Sequence, residues 1–562
     1  MGVGRLTVLC LAALLLAACG PASPALPDVP AAETPPGAAS PAPSPTASPS
    51  PPPPSPSPDA EPSPEPTPEP EPDYAALFTP YALPETEPDF HGIRYASEPA
   101  WDAGAISFGF PDTYTSLGIT TLRGNNFRDN AAWGTVEVEE EKLEILYSFG
   151  IGYIDRWTGV GWNGQPSMVQ WEPEVQALMN LKPEKKDKDG LVEVIYGTMD
   201  GKIYFFDLDD GAPTRDPINL GQPIKGSVTV DPRGYPILYV GQGVTYGNRF
   251  GFYIYSLIDG REIYFINGWD SFAPRRWGAF DSNPVFDTAN DAMFLCGENG
   301  VVYSVKLNTD FNPETGELAL DPEVSRYRYT NRRGRLGVES SPAAFSHYLF
   351  FGDNDGYVHC LDLKTLTPVW TRDVTDDTDA SVVLCWDEED KTLNLYTGCE
   401  IDHQAGNTCY LRKLNALNGD LLWEYTYTCL YDEAVNGGLI ATPVSGRGDI
   451  AEHVIFFVSK LTSGYGGGGA LVCFDKKTGD VVWENIMPFY GYSSPVALYT
   501  EEGKSYLVVS DSAGFMYLIR GTTGEILDRI SVGSNVEGSA AAFGSKLVVG
   551  TRGMRIYGVE LK

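Results

Sequence analysis

Apolar and polar residues alternate with a period of two through most of the chain beyond residue 140, in short runs broken by glycine-containing turns. Stretches such as IYFFDL (203–208) and MYLIRG (516–521) put successive side chains on opposite faces, the mark of a strand with two different environments. Asp-Gly and Thr-Gly pairs fall between the runs, where hairpin turns need positive φ. The pattern predicts an all-β chain built from antiparallel hairpins.

The hairpins recur. GTMDGKIYFFDLDDG (197–211), GENGVVYSVKLN (297–308), GDNDGYVHCLDLKTLTPVW (352–370), GALVCFDKKTGDVVW (469–483) and DSAGFMYLIRGTTGEIL (511–527) share one plan. A glycine turn leads into an alternating aromatic strand; most then continue through an Asp-Gly or Thr-Gly turn to a further strand. Repeats at this spacing predict a propeller or solenoid. FDKKTGDVVW resembles the repeat of the pyrroloquinoline quinone (PQQ) propeller superfamily, roughly a Gly-rich turn followed by L-Y-A-L-D-x-x-T-G-x-x-x-W. Trp370, Trp423 and Trp483 take the fourth-strand tryptophan position, Tyr147 and Tyr264 substitute for it, and the blade at Leu527-Asp528 lacks the ring. The resemblance covers about residues 120–562 and implies tryptophans stacked between blades.

A second marker counts the blades. Each first strand opens with a small-small-Pro-like step: Gly164-Gln165-Pro166, Gly226-Ser227-Val228, Ser282-Asn283-Pro284, Ser340-Ser341-Pro342, Ala380-Ser381-Val382, Ala441-Thr442-Pro443, Ser493-Ser494-Pro495 and Gly538-Ser539-Ala540. The expectation is an eight-bladed β-propeller of four-stranded blades over 131–562, with seven blades the alternative. Only three strands fit after the eighth step, so the fourth is expected at 143–149, closing the ring with both chain ends and removing the exposed edge.

In such a ring the residue before each step should repeat around one channel mouth. These residues are Asn163, Lys225, Asp281, Glu339, Asp379, Ile440, Tyr492 and Glu537. Four are carboxylates, so Asp281, Glu339, Asp379 and Glu537 are the candidate ligands of a hard cation, Ca²⁺ above all. Asn163, Lys225, Tyr492 and Trp277 are candidate binding residues beside them. The reading that competes is a solvated acidic rim on an acidic protein. The resemblance implies PQQ over Ca²⁺ in the dehydrogenases of the superfamily, many with a disulfide between adjacent cysteines. This chain has no Cys-Cys pair, and its mouth is negative where a tricarboxylate would sit, although Arg275 and Arg276 could supply cations. PQQ is therefore not expected. Lys185–Gly190 resembles the Ca²⁺ loops of integrin-type repeats but has lysine at the first ligand position, and reads better as a charged turn.

Charge and the N-terminus set the context. A net charge of −35 argues against nucleic acid, which needs a basic footprint. Five histidines show no metal-binding spacing. Arg5, the apolar run 6–16 and Leu16-Ala17-Ala18-Cys19-Gly20 resemble a bacterial lipoprotein signal, which implies cleavage after residue 18 and acylation of Cys19. Residues 19–72 then form a Pro/Ser/Glu-rich tether too poor in bulky apolar residues to bury a core, and 73–130 an irregular extension packed on the propeller. The resulting expectation is attachment by lipid alone to the outer face of a bacterial cell membrane, with a Gram-positive type of envelope favoured by the tether's length. Of nine cysteines, Cys10 leaves with the signal and Cys19 is acylated; the remaining seven cannot all pair. Cys399 and Cys409 flank a hairpin loop and are the candidate disulfide. Three functions compete: a monomeric, non-catalytic binding or assembly scaffold for an envelope protein or glycan, a PQQ- and Ca²⁺-dependent dehydrogenase, and a carbohydrate-binding surface protein. The first is preferred.

Overall fold

The second residue of each small-small-Pro step is the seam of the ring. The backbone N–H of Gln165 donates to the Ser227 hydroxyl at 2.9 Å, that of Asn283 to Ser341 at 2.8 Å, and that of Ser341 to Ser381 at 2.9 Å. The relay continues from Ser381 to Thr442, Thr442 to Ser494 and Ser494 to Ser539. It closes where Ser539 N–H donates to the Gly164 carbonyl at 2.9 Å. Between Ser227 and Asn283 the Asn283 side-chain amide bonds the Ser227 carbonyl at 3.0 Å instead. A small polar side chain at this position therefore satisfies a buried N–H of the neighbouring blade, which is why the marker repeats.

The computed structural model describes residues 73–78, 93–161, 164–403, 406–431, 436–462 and 467–562. The expectations for the signal, Cys19 and the tether lie outside them, as does Asn163. Eight mostly four-stranded antiparallel sheets follow one another: blades 1 to 7 span 167–219, 228–267, 285–330, 343–373, 383–428, 444–487 and 496–531. Blade 8 takes three strands from 541–561 and its outermost from Leu143–Gly150, which pairs antiparallel with Arg555–Leu561. The eight-blade count and the closure by both ends of the ring are as the sequence predicts.

The fourth-strand rings pack as the repeat implies. The turn glycines Gly419, Gly479 and Gly524, at φ near 75°, lie against Trp370, Trp423 and Trp483 of the preceding blade so closely that a Cβ would collide with the ring. Gly211 meets Tyr147 in the same way, across the join between blades 8 and 1. Each indole N–H donates to a carbonyl of the next blade: Ala416, Lys476 and Gly521, at 2.9 to 3.1 Å. Glycine is thus required there twice, for the turn and for the ring. Burying one such ring removes roughly 200 Å² from water, on the order of 4–5 kcal/mol.

The N-terminal extension is more deeply involved than a packed-on segment. Arg94–Glu98 adds a fifth strand outside blade 3, and residues 118–133 run through the channel. Gly118–Ile119 pairs with blade 1, the Thr120, Asn126 and Phe127 carbonyls accept from Val230, Ala344 and Leu384, and Ala132–Trp133 runs parallel to Ala542–Phe543. Two buried arginines complete the plug. Arg123 donates to the carbonyls of Pro495 and Pro443, and Arg128 to those of Pro342, Asn283 and Pro284. All eight inner strands or their opening steps are touched by this one segment. Both arginines hold left-handed φ, 56° and 59°, a conformation that costs an L-residue about 1–2 kcal/mol and is fixed here by those bonds.

Candidate metal centre at the channel mouth

Several residues before the small-small-Pro steps meet polar turns that follow second strands at one mouth. There a cavity of about 610 Å³ is lined by Glu339, Asn354, Asp377, Asp379, Glu400, Asp402, His403 and Asn436, with Arg275 and Arg335 at its side. Two stretches of chain supply these groups in pairs. Asp377 and Asp379, and likewise Glu400 and Asp402, are two residues apart, and both pairs line the cavity.

Two groups of three carboxylates have ligand oxygens within 4.8 Å of one another. The first is Asp281, Glu298 and Glu339. It already holds a cation: the Lys225 ammonium is ion-paired with Asp281 and lies 3.9 Å from Glu298 and 3.8 Å from Glu339. Burial alone would depress the Lys225 pKa, but the three carboxylates outweigh it and hold it well above the usual lysine range.

The second group is Asp377, Asp379 and Glu400. No cationic side chain is ion-paired with it among the described residues. Asp377 Oδ1, Asp379 Oδ1 and Glu400 Oε2 are buried and without a hydrogen-bond partner there. Burial, then mutual repulsion, pushes all three carboxyls well above the usual range. Surrounding bonds fix the geometry. Asn436 Nδ2 donates to Glu400 Oε1 at 3.0 Å, Glu400 N–H donates to the Asp377 carbonyl at 2.9 Å, and the Tyr492 hydroxyl donates to the Asn436 carbonyl at 2.6 Å. A third grouping, Asp377 with Asp402 and His403, shares one edge of the cluster. His403 is held between Asp376 (3.2 Å) and Asp402 (2.6 Å).

The ring of expected residues is thus divided. Asp281, Glu339, Asp379 and Lys225 converge on the mouth, and Tyr492 braces it from behind. Glu537 sits apart, bonded by Asn535 at 2.8 Å and facing Arg552 at 3.6 Å. Ile440 is buried, and Trp277 packs edge-on against Phe250 at 5.1 Å, outside the lining. Glu298, Asp377, Glu400, Asp402 and His403 were not anticipated. Their signal was the alternate spacing in Asp377-Thr378-Asp379 and Glu400-Ile401-Asp402, together with the polar turn after each second strand. In the Lys185–Gly190 loop, Lys185 and Lys188 bond Asp207 at 2.6 and 2.7 Å, so lysines occupy that turn.

No protein-family model and no curated protein sequence matches the chain. Solved structures do. A quinohemoprotein alcohol dehydrogenase from Pseudomonas putida HK5 superposes with a TM-score of 0.53 at 11% identity, covering 79% of this chain and 80% of its own. BamB from Moraxella catarrhalis gives a TM-score of 0.46 at 16% identity, covering 75% and 98%. At these identities the likeness speaks for the fold alone, a β-propeller of eight blades.

The fold family raises the question of PQQ and Ca²⁺. Clustered carboxylates backed by asparagines are the donor set a hard cation takes. The same residues suit a tricarboxylate quinone poorly. Seven carboxylates, Asp281, Glu298, Glu339, Asp377, Asp379, Glu400 and Asp402, crowd the mouth, while Lys225 is already committed to Asp281. Arg275 donates to the Leu336 carbonyl at 2.8 Å.

Proposed function

We propose that this chain is an exported, lipid-anchored, non-catalytic binding module of the bacterial cell envelope whose channel mouth takes one divalent cation, Ca²⁺ by preference. The observation that carries the reading is the Asp377, Asp379 and Glu400 cluster, with buried oxygens left unpaired at an open cavity. Three carboxylates with buried, unpaired oxygens are costly without a counter-ion. Beside them, Lys225 supplies a counter-charge to the adjacent trio. A bound cation would leave open positions toward the cavity, to which an acidic group of an envelope partner can bind. The Cys19 anchor and the 19–72 tether would hold that mouth away from the membrane.

Thermal unfolding of the full-length chain tests the cation step. A ligand that binds only the folded state raises the melting temperature. Ca²⁺ at millimolar concentration should raise it, EGTA should reverse the rise, and Mg²⁺ should do less because it demands stricter octahedral geometry. Adding PQQ with Ca²⁺ should give no further rise. No response to Ca²⁺ would remove the cation from the account, and a PQQ-dependent rise would favour the dehydrogenase.

A further inference from the structure

Blades 5 and 6 share a core around Trp423, Tyr396 and Phe456, but leave a cavity beside the inner strand of blade 6. The innermost strand of blade 6 is only Val444–Ser445, whereas those of the other blades have three to five residues. After it the chain turns away through Gly446, Arg447 and the single helical turn Gly448–Ile450. A cavity of about 860 Å³ opens there, bounded by Trp386, Asn394, Tyr396 and Lys413 of blade 5 and by Phe110 and Phe127 of the N-terminal segment.

The cavity's inner wall carries two buried polar groups. Asn394 and Tyr396 lie two apart in the strand Thr392–Gly398 and face the same way. They are 2% and 0% exposed, and the Asn394 Oδ1 and the Tyr396 hydroxyl have no hydrogen-bond partner among the described residues. In the corresponding strand of blade 4 (YLFFG) Phe350 stands at the Tyr396 position, and in blade 2 (ILYVG) Tyr239 stands there with its hydroxyl donating to Asp231 at 2.9 Å. An amide oxygen and a phenol buried in such an interface call for a partner that enters through the cavity.

The surrounding charges narrow its chemistry. Lys413 Nζ donates to the Lys476 carbonyl at 2.8 Å, and Lys476 Nζ to the carbonyls of Gly446 and Ala451 at 3.0 and 2.6 Å. Arg447 pairs with Asp129 at 2.6 Å. These cations are committed, and Asp387, Glu388, Glu389 and Glu452 also line the cavity, so an anion is disfavoured. What remains is a neutral acceptor, a hydroxyl and an aromatic wall. Those groups match a ligand with hydroxyls on its edges and C–H bonds on its faces.

We infer that the cleft between blades 5 and 6 is a saccharide-binding site, in which Asn394 and Tyr396 bind sugar hydroxyls against the wall formed by Trp386 and Phe110. It has room for a short oligosaccharide. The inference is independent of the cation reading, because none of its residues belongs to the mouth.

The test is calorimetric titration of the full-length chain with chitotetraose, cellotetraose and maltotetraose, paralleled by tryptophan fluorescence for Trp386. At least one sugar should bind, and Tyr396→Phe and Asn394→Leu should each weaken it about tenfold, the value of one hydrogen bond of roughly 1.4 kcal/mol. Tyr396→Phe removes only a hydroxyl, so it remains decisive if Asn394→Leu folds poorly. Absence of binding by all three sugars, or binding unchanged in Tyr396→Phe, overturns the inference. Binding of trilysine in place of any sugar overturns it too, in favour of a basic-peptide cleft. Ca²⁺ titration of the same variants should match the unsubstituted chain.

Discussion

The Lys225 ammonium is buried against the Asp281 carboxylate, their side chains 12% and 0% exposed, at the inner side of the channel mouth. Lys225 thereby serves Asp281, Glu298 and Glu339 as a built-in cation, and among the described residues no cationic side chain is ion-paired with the neighbouring trio Asp377, Asp379 and Glu400. One half of the mouth carries a counter-charge of its own and, among the described residues, the other does not.

Replacing Lys225 by methionine should expose that asymmetry. The three carboxylates would be buried without a counter-charge, a loss of about 3–5 kcal/mol in metal-free buffer. Ca²⁺ should then bind with a second equivalent and restore much of the loss. Urea unfolding and calorimetric stoichiometry read the two effects. A variant as stable as the unsubstituted chain, with unchanged stoichiometry, would show that Lys225 is not acting as a cation surrogate.

The metal-free protein should lose stability as pH rises. Asp377, Asp379 and Glu400 have folded pKa values well above their ordinary 3.8 to 4.5, so the folded state binds more protons than the unfolded chain. Stability therefore falls from about the ordinary carboxylate range upward through the raised values. Glu298 and Asp281 are raised in the same sense, while Lys225 opposes them, and Glu339, Asp402 and His403 face the same cavity. Melting temperatures between pH 5 and 8 in EGTA should decline, and Ca²⁺ should flatten or reverse the slope. A metal-free protein whose stability rises across that range would contradict the raised carboxyls.

Arg128 should matter more to stability than any exposed arginine. It donates to carbonyls of the opening steps of blades 3 and 4 and to Thr121 and Leu122, from a site where burial lowers its pKa to about 10. Arg128→Leu strands those carbonyls, each unpaired group being worth about 1–3 kcal/mol. A loss of at least about 3 kcal/mol in urea unfolding is expected. A loss below about 1 kcal/mol would mean that the channel segment is not integral to the ring.

The blades were legible in the sequence because their determinants are local. Period-two alternation, turn glycines and the small polar residue of each opening step all act within one repeat or between adjacent ones. The plug was not legible. Arg123 and Arg128 sit in an irregular stretch, and their carbonyl partners in the blades lie from about 150 to 370 residues away, exposed to them only once the ring has closed. The mouth was half legible. Register located Asp281, Glu339 and Asp379, but Glu298 and Glu400 come from turns between second and third strands, which register along the first strands does not reach. Glu537 shared that register and still failed to join, because Asn535 and Arg552 hold it elsewhere.

Three buried thiols adjoin the mouth. Cys399, Cys409 and Cys429 are all buried and free, and Cys399 immediately precedes Glu400. The Cys399 thiol is lowered, first by Cys409 and also by the Tyr410 N–H at 3.4 Å, despite burial. Refolding with oxidised glutathione should link Cys399 to Cys409, and in Cys399→Ser should link Cys409 to Cys429. Peptide mapping without reduction reads both. Alkylation of Cys409 in both proteins would contradict the pairing.

The most direct measurement is calorimetric titration of Ca²⁺ into the full-length chain and into Asp377→Asn and Glu400→Gln. The account predicts one equivalent for the unsubstituted protein, weakened at least about tenfold by either substitution, with Glu537→Gln unchanged. Absence of Ca²⁺ binding, or binding that survives both substitutions intact, would contradict it.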